Sequence, residues 1–440
     1  MNFNSQASPV LLLQGPVGSF FSSLSRSLER SGFSVVNVNF NLGDWLFRRG
    51  KNAVFFRDDL DAWRDWLTAL CTKRRPLCIM MFGDCRPIHV VARQVAENFG
   101  VRVFCFEEGY LRPNYVTFEE GGNNANSLFT CDPNERFAPE PERPVTQMRN
   151  SFWRVASLAT AYQAALQLGG AFYPGYLHHR SRFLRIEAMR WARAGARKML
   201  CKRKDARLIR SLLRDNAKRY FIVALQVADD LQIFHHGCGW TQTKLIVSAI
   251  QSFAAKAPAD AQLVIRCHPM DCGNVGYREL IDKCRREQGV ADRVHLIYTG
   301  HGPTLLKGAA GLVTINSTMA IGALAYGCPV FAFGEAIYRV QGLLFEGSDI
   351  AALSAFWRSP LPTDPNLFQR FVAELRRQTQ INGSYYESDS FDAMSAQIIA
   401  RLTENLILVD GSAIDAADSQ ARSRTARKAN SDLRHNVVRL

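Results

Sequence analysis

Apolar residues in this chain form short runs, separated by stretches in which they recur at intervals of three and four. Positions 10–13, 34–39, 77–81 and 102–107 are rich in Val, Ile, Leu, Met and Phe and read as buried strands. Between them, 20–31, 59–72 and 88–99 have helical spacing. Strands are expected again at 221–225, 262–267, 294–298, 311–315 and 330–333, with helices at 241–255, 276–286, 303–310 and 318–326. Such alternation predicts parallel sheets covered by helices on both faces. The expected fold is therefore α/β, with two Rossmann-like doubly wound domains facing a cleft in a GT-B-like arrangement.

The expected divisions are a first domain over 1–140, a basic helical linker over 141–219 and a second domain over 220–360. Helices over 361–409 follow, then a polar tail from 410 that is expected to be disordered. A length of 440 residues agrees with two cores. Charge changes the picture at one place. Of the net +14, much sits in 180–219, which holds fifteen Lys and Arg against three acids. Arg182, Phe183, Leu184, Arg185, Met189, Trp191, Met199, Leu200, Leu208, Ile209, Leu212 and Leu213 interleave there at roughly helical spacing. That pattern suits either an anionic membrane surface or a solvated linker helix. No zinc-finger spacing or RNA-recognition signature accompanies the charge, so nucleic acid is not an expected partner.

No apolar run is long enough for a transmembrane helix, and the first nine positions lack a signal peptide's basic region. The eleven cysteines are scattered without a Cys-x-x-Cys pair, which argues against a disulfide framework or zinc ribbon and for a reducing cytoplasm.

Ligands of doubly wound domains sit beyond the carboxyl ends of the strands, so the candidate chemistry is sought there. After the first strand, Gly15 and Gly18 in QGPVGS would let backbone approach a ligand, although a plain tight turn explains them equally. After the third, Asp84 and Arg86 follow; after the fourth come Glu107, Glu108 and Arg112. Paired carboxylates can supply a general base, and either arginine can hold an anion. The competing reading is that Asp84 and Glu107 cap helices or pair with arginines. In the second domain, Gln226, Asp229 and Asp230 follow the first strand, with His235 and His236 beyond. Arg266, His268 and Pro269 follow the second strand, and Asn316, Ser317 and Thr318 open a helix after the fourth. Hydroxyls, an amide and free N–H groups make a phosphate site that needs no metal. His235, His236, Cys238, Cys267 and His268 match no known metal spacing, so no metal or other cofactor is expected.

The segments QGPVGSFF, VNVNFNLGD, FGDCRPIH, FEEGYLRPNYVT, QVADDLQI, CHPMD, PTLLKGAAGLVTINSTMAIGALAYGCPV and AIYRVQGL run in order from 14 to 343. With them the chain resembles the capsular polysaccharide biosynthesis and export family of the KpsS/LipB type. That resemblance implies a retaining β-Kdo transferase that moves Kdo from CMP-Kdo to a lysophosphatidylglycerol acceptor, starting the glycolipid linker of an exported capsule. It implies a peripheral enzyme on the cytoplasmic face of the inner membrane, working beside other capsule biosynthesis and export proteins. It assigns the donor site to Gln226, Asp230, His268, Pro269, Asn316, Ser317 and Thr318. On that reading Arg266 joins His268 at the departing phosphate, and Asp230 is the candidate nucleophile, with Asp229 one position away. Glu107 or Glu108 is then the base, and Gly15, Gly18, Asp84, Arg86 and Arg112 face the acceptor. A nucleotide-sugar epimerase and a non-catalytic export scaffold are the rival readings.

Overall fold

The computed structural model describes residues 8–48, 52–133, 144–149, 151–176, 184–227, 230–269 and 276–411. Its strands are β1 (Val10–Leu12), β2 (Val35–Asn39), β3 (Ala53–Phe55), β4 (Cys78–Phe82), β5 (Arg102–Glu108) and β6 (Tyr115–Glu120). They continue as β7 (Tyr220–Ala224), β8 (Gln262–Arg266), β9 (Val294–Ile297), β10 (Gly311–Thr314), β11 (Val330–Ala332) and β12 (Gln380–Asn382). Two sheets result, one ordered β12-β6-β5-β4-β1-β2-β3 and one ordered β11-β10-β7-β8-β9. The second is wholly parallel. In the first, β6 runs antiparallel to β5 and β12 antiparallel to β6. The doubly wound α/β class expected from the periodicity is the class observed.

Both faces of each sheet are buried, which is why the strands read as nearly continuous apolar runs. Leu11, Ile79, Met81, Val103 and Cys105 pack with Trp63, Leu67, Val91 and Val95 on one face of the first sheet. Val10, Leu12, Met80, Phe104 and Phe106 occupy the other face with Phe20, Phe21 and Leu24. That second layer also takes Phe391, Met394, Ile398 and Leu402 from the helix Phe391–Gly411. The chain therefore returns to its first sheet after completing the second. The 361–409 segment was expected as helices alone; it also contributes β12, and its last helix covers the first core. Positions from 412 onward lie outside the described residues, and with them most of the expected tail.

The basic stretch forms the helix Leu184–Asp215. Leu212 is buried against the second domain, with Leu208, Ile209 and Leu213 packed around it. Asp205 is buried too and accepts hydrogen bonds from the Tyr298 N–H, the Thr299 N–H and the Thr299 hydroxyl, each at 2.9 Å. The carboxyl half of this helix thus belongs to the second domain's core. Met189, Met199 and Leu200 remain exposed, while Arg182 and Phe183 lie outside the described residues. Among the described residues no helix is long and apolar enough to cross a membrane.

Strand order reverses beside β1 in the first sheet, between β4 and β2, and beside β7 in the second, between β10 and β8. Each reversal opens a crevice at the carboxyl ends of the strands, where the neighbouring crossovers leave in opposite directions.

Candidate active site

At the second crevice three predicted residues meet. Gln226, buried just beyond β7, donates from Nε2 to Asp230 Oδ2 at 3.0 Å and to Asn316 Oδ1 at 2.9 Å. Its Oε1 accepts from the Asn316 N–H at 3.2 Å. Asp230 is half-buried and caps the short helix Leu231–His236, its Oδ1 accepting from the Gln232 N–H at 2.9 Å. One carboxylate oxygen is held by the helix start and the other by an amide, so the group is oriented by neutral donors. Ser317 and Thr318 stand at the adjacent turn. Ser317 Oγ accepts from the Met319 N–H at 3.2 Å, and Tyr338 OH donates to the Ser317 carbonyl at 2.9 Å. The helix they open is brief, Met319–Ala325, and its first donor is already engaged, so the phosphate cradle expected there reduces to side chains.

His268 lies beyond β8 with Pro269 exposed after it. Burial pushes its imidazole pKa down to about 4, and the charges of Arg266, Arg112 and Lys198 push the same way. Those three cations come from β8, from the loop after β5 and from the long basic helix. Cations gathered around a neutral imidazole favour an anion beside it. Lys198 was not among the residues singled out in the sequence.

Arg112 also faces the pair of acids at the end of β5. Burial raises the Glu107 pKa to about 7, opposed by a hydrogen bond from the Glu108 N–H and by Arg86 and Arg112. Glu107 Oε1 accepts that N–H at 3.1 Å, whereas Glu108 Oε1 accepts from Tyr386 OH at 2.6 Å. The two neighbours are therefore unlike: Glu108 is tied to a tyrosine from the C-terminal segment, and Glu107 is poised to exchange a proton near neutrality. Tyr385 supports the same strand end by donating to the Glu107 carbonyl at 3.0 Å.

The first crevice is filled by protein. Gln14 Nε2 lies 2.9 Å from both Tyr162 OH and Tyr176 OH and 3.1 Å from Asp44 Oδ1, and Arg86 Nη1 donates to Gln14 Oε1 at 2.6 Å. Asp44 accepts from the Phe40 N–H at 3.0 Å and stands 3.7 Å from the buried Arg48. A Cβ on Gly15 would sit 2.7 Å from the Phe21 ring, and one on Gly18, whose φ is +106°, would meet Leu158 at 3.4 Å. Close packing against Phe21 accounts for Gly15, and the positive φ accounts for Gly18, as a tight turn requires. Asp84 is engaged by the protein as well. Its carboxylate is wholly buried and accepts from the Asn123 N–H at 3.0 Å and from Asn126 Nδ2 at 2.7 Å. Arg86 and Arg112 remain in the cleft beside Glu107.

Asp84, Cys85 and His236 bring one potential ligand atom each within 4.8 Å of one another, across the two domains. Asn126 Nδ2 approaches His236 Nε2 at 3.2 Å and the Cys85 thiol approaches Asp84 Oδ1 at 3.2 Å, so the cluster forms a hydrogen-bonded ring as it stands.

Two doubly wound domains, with a held carboxylate on one side of the cleft, a near-neutral acid on the other and cations from both, define the architectural class. Residues 77–386 match the capsule polysaccharide biosynthesis protein family, and the chain belongs to it. It is 36% identical over 380 residues to the capsule polysaccharide export protein KpsS of Escherichia coli, covering 86% of this chain and 96% of that one. It is 32% identical over 400 residues to the capsule polysaccharide modification protein LipB of Neisseria meningitidis serogroup B, covering 89% and 94%. Among solved structures it is similar to the KpsC beta Kdo 2,7 transferase of Thermosulfurimonas dismutans, with a TM-score of 0.39 and 14% identity over 82% of this chain and 89% of the other.

Proposed function

We propose that the chain is a retaining glycosyltransferase of capsule biosynthesis that transfers Kdo from CMP-Kdo to a lysophosphatidylglycerol acceptor. The observation that carries this is the pairing of Asp230, oriented by Gln226 and the Gln232 N–H, with the convergence of Arg266, Arg112 and Lys198 around His268. A CMP-activated acidic sugar brings a phosphate and a carboxylate together, which suits three cations better than a neutral sugar would.

In the first step an Asp230 carboxylate oxygen attacks the anomeric carbon as the bond to the CMP phosphate oxygen breaks. Arg266 and the neutral His268 ring, donating an N–H, take up the charge that develops on the departing phosphate. Asn316, Ser317 and Thr318 line the same side. In the second step Glu107 removes the acceptor hydroxyl proton, and the oxygen displaces Asp230 from the sugar. Two inversions return the original configuration. Glu107 is preferred over Glu108 because Tyr386 already occupies Glu108. No step in this scheme requires a metal.

The acceptor and the inner-membrane surface enter through the helical segment that covers the first crevice. The helix Phe152–Leu168 has one charged residue, Arg154, and exposes Phe152, Trp153 and Leu168. It touches the basic helix, whose Met189, Met199 and Leu200 are also exposed. An apolar element beside a cationic one suits an anionic bilayer interface.

The test is incubation of purified protein with CMP-Kdo and lysophosphatidylglycerol, with products read by mass spectrometry. A lipid heavier by one Kdo is the expected result. Absence of product while CMP remains bound would sink the donor and acceptor assignment and return attention to another acidic sugar or to a scaffold.

A further inference from the structure

The helix that begins at Asp230 is gripped by the opposite domain. Gln232 Nε2 reaches Asp84 Oδ1 at 3.4 Å, and its Oε1 accepts from Asn124 Nδ2 at 3.4 Å. Four residues on, His236 Nε2 meets Asn126 Nδ2 at 3.2 Å and lies 3.8 Å from the Cys85 thiol. Within the second domain the same Gln232 supplies the N–H that holds Asp230 Oδ1, and its carbonyl accepts from Asn316 Nδ2 at 3.0 Å. One residue therefore joins the candidate nucleophile, the donor-site amide and the first domain.

The gripping loop is itself tightly built. Asn124 adopts φ 54°, a left-handed conformation that asparagine tolerates better than most residues. Its N–H donates to Tyr110 OH at 2.7 Å, and its Oδ1 accepts from the Ile337 N–H at 2.9 Å, a second-domain group. Beneath it Tyr110 OH donates to the buried Glu119 at 2.8 Å. A Cβ on Gly122 would lie 2.4 Å from Asn126 Cβ and 2.7 Å from Asp84 Oδ2, so the turn closes directly onto the Asp84 carboxylate.

We propose that Asn124, Asn126 and Asp84 form a positioning clamp that sets Asp230, through Gln232 and His236, only when the two domains are docked. This explains why a fully buried aspartate and three nearby asparagines sit at a domain boundary where apolar contact would suffice. The residues act through the nucleophile's helix and touch no substrate, so they are positioning residues, and the proposal rests on Asp230 being the nucleophile. Its consequence is that the first half-reaction depends on domain docking, which separates donor binding from donor activation.

The test compares the parent with Asn124→Gly, which keeps the left-handed backbone and the N–H to Tyr110 but loses both cross-domain bonds. Gln232→Met, similar in volume, loses the side-chain bonds from the other side. Both variants are expected to lose about tenfold or more in kcat with donor KM and CMP affinity changed by less than about twofold, the split that misplacement of a bound reactant produces. Amide hydrogen exchange is expected to quicken in 231–236 while the strands β7 and β10 stay protected. Unchanged exchange in 231–236 would overturn the clamp whether or not the chain is active. So would a kcat loss that follows a general fall in melting temperature and is matched by an equal loss of CMP binding. A parent that gives no turnover with CMP-Kdo, together with quickened exchange in the variants, would instead remove the Kdo assignment and leave the clamp standing.

Discussion

The two strand-end crevices were built from similar materials and put to different uses. Beyond β7 a glutamine bonds an aspartate and an asparagine, and half-buried charged groups surround the space left over. Beyond β1 a glutamine also meets an aspartate, but two tyrosine hydroxyls from 148 and 162 positions away complete the network and close the space. Polar residues at the end of a parallel strand therefore mark a crevice, and only their partners say whether it is open. The contrast is testable at each of its members, since substitutions in the open crevice should alter chemistry and those in the closed one should alter stability.

The largest effect is expected at Asp230. Asp230→Ala should lower transfer by roughly 10³-fold or more, as loss of a nucleophile does, with CMP affinity nearly intact. His268→Ala should do the reverse, weakening CMP-Kdo binding about tenfold through one lost charge-assisted hydrogen bond. Single-turnover rates and calorimetric CMP titrations separate the two. An Asp230→Ala enzyme that kept most of its rate would remove the covalent mechanism.

Glu107 supplies the next largest. With its pKa raised by burial to about 7, it must lose its proton to act as base, so kcat/KM should climb as pH passes through 7 and then level. Glu107→Gln should cost about 10²–10⁴-fold and abolish that rise. Stability runs the opposite way. An acid whose folded pKa is raised binds more protons folded than unfolded between its ordinary value near 4.5 and 7, so its contribution falls as pH rises across that window. The Gln variant should therefore melt no lower than the parent at pH 8. A pH profile unchanged in Glu107→Gln would move the base elsewhere.

What the sequence disclosed follows from distance along the chain. Central strands such as β4 and β7 bury both faces, so their apolar runs were plain. The edge strands β3 and β12, three residues each, offer no period to read, and β12 pairs with β6 from across the second domain. Gln226, Asp230 and Asn316 were legible as strand-end polar residues, and they do meet. Asp84 carried the same signal, yet its partners Asn123 and Asn126 come from a loop beyond β6, and Gln232 reaches it from the other domain. Glu107 and Glu108 are adjacent and chemically alike, so only the Tyr386 hydroxyl distinguishes them. Tyr162 and Tyr176 left no trace, because nothing local connects them with Gln14.

The smallest effect is the sharpest check on the closed crevice. Tyr162 OH donates to Asp44 Oδ1 at 3.0 Å and lies within hydrogen-bond reach of Gln14 Nε2 and Asn41 Nδ2. Tyr162→Phe keeps the ring beside Gly43 and Phe47 but removes the hydroxyl to which Asn41 Nδ2 donates and one bond each from Gln14 and Asp44, which keep their bond to each other. Leaving such a donor unpaired costs on the order of 1–3 kcal/mol, which for a domain of this size lowers the melting temperature by about 2–8 °C. Turnover should stay within about twofold, since Arg86 keeps its own bond to Gln14 and Glu107 is untouched. If instead turnover fell tenfold at an unchanged melting temperature, the tyrosines would belong to the acceptor site and the first crevice would be a working one.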